Sequence, residues 1–130
     1  MKKLNTIGLI TSALDASALR QKTISNNIAN VDTPKFRASR VAFEEILQKE
    51  MNSRFSGKRT DERHFAIGAQ GGIPSAKLKQ EGHIFQNSGN GVDIDYEMSQ
   101  LSQNTIWYQS LTYGINEEFN LIKTAIRGRS

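Results

Sequence analysis

Two apolar stripes, one at each end of the chain, constrain what this sequence can fold into more than any other feature. Near the start, Ile7, Ile10, Leu14, Ser17, Gln21, Ile24, Ile28 and Val31 step by three and four in strict alternation. Near the end, Ile94, Met98, Leu101, Thr105, Tyr108, Thr112, Ile115, Phe119, Ile122 and Ile126 do the same. A mean step of about 3.5 residues is the repeat of a coiled-coil seam, so each stripe predicts a long helix with one face to bury. Read as one helix, the second stripe runs about 50 Å at 1.5 Å per residue. A compact globule of 130 residues spans only roughly 35–40 Å. The chain is therefore expected to be elongated and mainly α, its terminal helices paired as a coiled-coil core.

Three stretches follow from that expectation. Residues 1–34 form the N-terminal helix and its closing turn, 35–92 a middle region, and 93–130 the long C-terminal helix. Asn5 or Thr6 can cap the first helix. The helix is expected to end near Asn30, because Pro34 disfavours helical geometry at Thr33 and brings no N–H of its own. A second, shorter helix is expected from about Val41 to Arg54, with Phe43, Ile46, Leu47 and Met51 near one face. Beyond it lie seven of the ten glycines, from Gly57 to Gly91, a density that favours turns and short strands. His64–Ile67 and His83–Phe85 are the expected extended pieces, and 86–91 reads as a flexible link. In the last helix Asp93 is the expected cap. Asp95 and Glu97 put negative charge on its positive end, and Lys123, Arg127 and the following Gly128 close it. Gly114 interrupts it, marking a kink or a close helix contact.

Composition removes several functional classes. The absence of cysteine rules out disulfides and thiolate metal sites. No window approaches the ~18 consecutive apolar residues of a membrane span. Polar residues interrupt the apolar run after Lys2 and Lys3, so no cleaved signal peptide is expected. The net charge is +4, yet the basic residues are scattered. The first 60 residues hold eleven Lys/Arg against five Asp/Glu, and the remainder six against eight. A nucleic-acid binder concentrates its charge on one face, so this asymmetry suits contacts between copies better.

Catalytic signatures are wanting. Asp61-Glu62-Arg63-His64 can be read as an acid/base or metal cluster, and a charged turn leading into a strand explains it as well. Asp93-Ile94-Asp95 is accounted for by helix capping, and no phosphate loop or nucleophile elbow is present. No enzyme activity, cofactor or metal is expected. Ser17, Gln21, Thr105 and Thr112 occupy seam positions that favour aliphatics. They either fix register or loosen the seam locally.

Ser25-Asn26-Asn27-Ile28-Ala29-Asn30-Val31-Asp32-Thr33-Pro34 closely resembles the signature of the bacterial flagellar axial proteins of rod, hook and hook-associated segments, near S-N-N-I-A-N-x-x-T-P-G-Y. The chain departs at Lys35 (usually Gly) and Phe36 (usually Tyr). A lysine there argues that the turn need not have positive φ. The stretches 90–98, 108–112 and 119–126, the Thr60–His64 run and the short middle region are similar to the proximal rod proteins in particular. That resemblance implies a structural subunit that stacks into a hollow helical shaft, transmits torque and surrounds the export channel. The middle would sit outward as a lobe or fill space between subunits. Implied partners are further copies, the other rod proteins (FlgC, FlgF and FlgG types), the junction protein FliE and the export apparatus. No nucleic acid and no membrane insertion are implied, and export would proceed without a cleaved signal to a site outside the cytoplasmic membrane. The residues expected at subunit contacts are Ile10, Leu14, Gln21, Ile24, Asn26, Asn27, Ile28, Asn30, Pro34, Met98, Leu101, Tyr108, Ile115, Phe119, Ile122 and Ile126. The alternative reading is a stand-alone helical adaptor gripping a partner helix.

Overall fold

The computed structural model describes residues 6–48, 73–80 and 91–128. Two helices dominate: α1, Thr6–Ala29, and α2, Ile94–Arg127. They pack against each other, α1 against the part of α2 that precedes Phe119. The pairing is antiparallel: Asn27 meets Glu97, Ser17 meets Asn104, and Ile10 lies beside Gly114. The mainly α architecture with paired terminal helices is as expected from the two stripes. Gly114 sits in unbroken helix, where an added Cβ would meet only Ile10 Cδ1, at an ordinary 3.9 Å.

The helix ends follow from side-chain chemistry. Asp93 is extended (φ −105°, ψ 114°), and its Oδ1 accepts from the N–H groups of Asp95 and Tyr96 at 3.0 and 3.3 Å. That satisfies two donors left orphaned by the first turn. Gly128 leaves α2 at φ +69°, a conformation that favours glycine. At the end of α1, Asn30 Nδ2 donates to the carbonyl of Asn26 at 2.8 Å. Asn30 Oδ1 in turn accepts from Thr33 Oγ1 at 3.2 Å.

The next turn takes the positive φ that a lysine at this place argued it need not have. Lys35 has φ +62°, and the N–H of Phe36 donates to the carbonyl of Thr33 at 3.2 Å. Proline at the second position with positive φ at the third is the pattern of a type II turn. The turn demands the left-handed region whichever residue occupies it, and the lysine adopts it at a cost of roughly 1–2 kcal/mol.

Strand β1, Ser39–Ala42, pairs antiparallel with β2, Lys77–Gln80, with Arg40 opposite Lys79 and Val41 opposite Leu78. This corrects the second helix, which begins at residue 44 rather than at Val41 and is described to 48. Val41 and Ala42 extend because β2 offers them a ladder. The N–H of Leu47 donates to the Phe43 carbonyl at 2.8 Å. Gly91, expected in a flexible link, is buried and bridges Arg37 in parallel. Met51, Asp61–His64, both expected strands, the rest of the link and the other glycines from Gly57 to Gly89 lie outside the described residues.

The core is small. Ala13 and Ala16 of α1 pack with Val41 and Phe43, and Leu19, Leu47, Ala76 and Leu111 close around them. Ser12 Oγ also donates to the carbonyl of Pro74. The described part of the middle region thus covers a flank of α1.

Candidate assembly interface

The contact between the helices is built from polar and small side chains. Asn27 is fully buried and its amide mimics a strand: Oδ1 accepts from Ser39 N–H at 3.0 Å, and Nδ2 donates to the Ser39 carbonyl at 2.9 Å. The same Nδ2 lies 3.3 Å from Glu97 Oε2. Glu97, also fully buried, pairs through Oε1 with Arg40 Nη1 at 2.6 Å. The Arg40 guanidinium carbon lies 5.0 Å from the centre of the Tyr96 ring, a cation–π distance. One asparagine therefore ties the end of α1, the start of β1 and the first turn of α2 together. A buried polar group left unpaired costs about 1–3 kcal/mol, so the cluster forms as a unit.

Two turns further along, Ser17 Oγ donates to Asn104 Oδ1, and Asn104 Nδ2 donates to the Ser17 carbonyl, both at 2.9 Å. Outside this pair, Arg20 Nη2 reaches both carboxylate oxygens of Glu44 at 2.7 Å. Partial burial pushes the Glu44 carboxyl up. The Arg20 hydrogen bond, helped by backbone N–H groups and the arginine's charge, outweighs this and leaves it below the ordinary glutamate value. Between these pairs lies an open groove of about 310 Å³ lined by Arg20, Arg40, Gln100 and Gln103 among others. Among the described residues, no three metal-ligating side chains come together, and no helix is long and apolar enough to cross a membrane.

The apolar stripe of α2 is not the face that meets α1. Glu97 and Asn104 are buried, and Leu111 and Glu118 half-buried. Their neighbours in the stripe, Met98, Thr105, Thr112 and Phe119, are exposed. One residue is about 100° of rotation, and only Leu101 and Ile115 are shared between the two faces. From Phe119 to Gly128 every residue is exposed, with Ile126 at 79 %. Ile106 and Tyr113, two positions beyond Asn104 and Leu111, lie on the far side and are also exposed. Large apolar side chains therefore surround much of α2.

Of the residues expected at subunit contacts, Ile24 and Asn27 are buried within the chain. Ile10, Leu14, Ile28, Asn30, Leu101 and Ile115 are half-buried. Gln21, Asn26, Pro34, Met98, Tyr108, Phe119, Ile122 and Ile126 are exposed. Apolar periodicity missed Arg40, Glu97 and Asn104. Glu97, expected only as a charge on the helix dipole, is a buried partner of Arg40. The sevenfold spacing of Glu97, Asn104, Leu111 and Glu118 was the available signal.

The profile of the family described as "Flagella basal body rod protein" matches residues 10–37, the span from α1 through the type II turn. Over nearly the whole chain, the sequence is similar to flagellar basal body rod proteins FlgB. The protein of Bacillus subtilis (strain 168) is 39 % identical, covering 95 % of this chain and 94 % of that protein. That of Borrelia hermsii is 35 % identical, with 94 % and 96 % covered. That of Aeromonas hydrophila is 31 % identical, with 93 % and 92 % covered.

Proposed function

The chain belongs to the FlgB family of flagellar basal body rod proteins, and on that premise we propose that it is a proximal rod subunit that polymerises through its terminal helices. The observation that carries this reading is the uncovered apolar surface of α2. Tyr113 is 69 % exposed and Ile126 79 %, on opposite sides of a helix already paired along a third face. Large apolar side chains left bare beyond the paired face of a helix mark surface that a further partner covers. Contacts between unlike faces of successive copies do not close, and they generate a helical array. Around a common axis such an array is a hollow shaft, suited to carry torque and to enclose an export channel. The exposed stripe residues Met98, Tyr108, Phe119, Ile122 and Ile126 are then subunit contacts, with Asn26 and Pro34 at the turn. Further copies, FlgC-, FlgF- and FlgG-type rod proteins and FliE are the partners, with delivery by the flagellar export apparatus.

Sedimentation velocity and electron microscopy of the full chain, alone and mixed with a purified FlgC-type protein, test this. Concentration-dependent association into elongated particles is expected. Phe119→Asp or Ile126→Asp should weaken it at least tenfold, since each removes a side chain worth about 1.5–3 kcal/mol when buried. A chain that stays monomeric under all these conditions, or associates equally well with both substitutions, overturns the reading.

A further inference from the structure

The face of α2 that meets α1 is polar at its best-buried positions, while a face about 100° away is apolar and bare. An apolar contact is non-directional and scales with area, so area alone would turn Met98, Tyr108 and Phe119 toward α1. Something holds the helix in the less apolar orientation. We infer that the two buried polar contacts, Ser17–Asn104 and Asn27–Glu97–Arg40, form a rotational lock that keeps the apolar stripe of α2 turned outward for a second copy of this chain.

Directionality carries the argument. Ser17 and Asn104 exchange two hydrogen bonds of 2.9 Å, and one residue of rotation breaks both inside a buried contact. At the other end, the same rotation separates Glu97 from Arg40 Nη1, 2.6 Å away, leaving a charge buried without its partner, a heavy penalty. Small residues along the helix pair, Ala13 and Ala16 on α1 and, on α2, Gly114 opposite Ile10, offer no ridge to resist rotation. Buried polar residues fix register in helix pairs at some cost in stability, and here the quantity fixed is rotation. That a second copy is the occupant rests on the proposed function and on continuity. The stripe runs from Met98 past the last half-buried residue, Glu118, to Ile126, with Thr105 and Thr112 as its polar interruptions, so a copy displaced along the axis meets apolar surface at most positions.

The chain has no cysteine, so rotation can be read by thiol crosslinking with a short bifunctional reagent. Ile10→Cys/Gly114→Cys reports the locked face and Ile10→Cys/Thr112→Cys the rotated one. In the parent background the 10/114 pair is expected to crosslink and the 10/112 pair to do so at least fivefold less. Adding Ser17→Ala with Asn104→Leu should reverse that preference while far-UV circular dichroism stays helical. Exchanging the pair, Ser17→Asn with Asn104→Ser, should restore the 10/114 product. Unchanged 10/114 crosslinking in the Ala/Leu variant overturns the lock, and so does its loss of helicity, which would make the pair a stability contact without rotational choice. Sedimentation of the parent separates the two ideas. A monomeric parent with reversed crosslinking in the variant refutes assembly and keeps the lock. An associating parent with unchanged crosslinking does the opposite.

Discussion

Lys35 and Gly91 occupy neighbouring backbone with opposite demands. Lys35 holds φ +62° where the turn requires the left-handed region, and its side chain is exposed. Lys35→Gly removes the Cβ strain and adds unfolded-state entropy, effects that partly cancel. The expected gain is about 0.5–1 kcal/mol, read as a raised midpoint in thermal or urea denaturation. Gly91 is buried, and a Cβ there would collide with the Phe36 carbonyl oxygen. That atom is backbone and cannot swing aside, so Gly91→Ala must shift the bridge to Arg37. A loss of about 1–3 kcal/mol is expected, as for an overpacked site. Equal midpoints for Lys35→Gly, Gly91→Ala and the parent would contradict this account of the turn. Sequence made the turn legible through Thr33-Pro34 but left its φ open, because lysine argues against left-handed backbone only where the fold leaves a choice.

At the scale of elements, the long helices were legible and the face they share was not. Spacing reports which positions need burial and is silent on what buries them. The stripe of α2 was read as serving both the intramolecular seam and contacts to neighbouring copies, whereas Glu97 and Asn104 fill the best-buried places of the seam because Arg40, Asn27 and Ser17 satisfy them. Strand β1 was read as the start of a helix for a related reason. Val41, Ala42 and Phe43 suit either state, and the partner that decides it, Lys77–Gln80, is wholly exposed and carries no alternating apolar signal. Gly114 tests the element in isolation. It lies in regular helix, where alanine is favoured by about 1 kcal/mol, and the new methyl would rest at van der Waals distance from Ile10. Gly114→Ala is therefore expected to raise stability by about that amount without altering association. A destabilised Gly114→Ala protein would mean that α2 bends or approaches α1 more closely at this point.

At the scale of the molecule, burial sets how far the chain can order by itself. Among the described residues, the buried hydrophobics are Ala13, Ala16, Ile24, Ala38, Val41, Phe43 and Val92. Three of those seven are alanines, which contribute little apolar area. Among the described residues thirteen large hydrophobics stay exposed, eleven of them on α2 between Ile94 and Ile126, including Ile106, Leu121 and Ile122. Ordering a residue costs roughly 1–2 kcal/mol of backbone entropy, and helices of this length hold in water chiefly through tertiary packing. The last turns of α2, with every residue from Phe119 exposed, have little such packing. Association that buries the stripe supplies the missing free energy by mass action, because it stabilises the ordered state and not the disordered one. Helicity of the full chain should therefore rise with concentration, in step with sedimentation. The gain should be concentrated in 119–127, where hydrogen exchange is expected to be fast in the dilute protein and slow in the assembled one. Phe119→Asp should suppress both changes together. Full helicity and slow exchange at 119–127 in dilute, strictly monomeric protein would show that the chain orders α2 without neighbours, and the exposed stripe would then need another explanation.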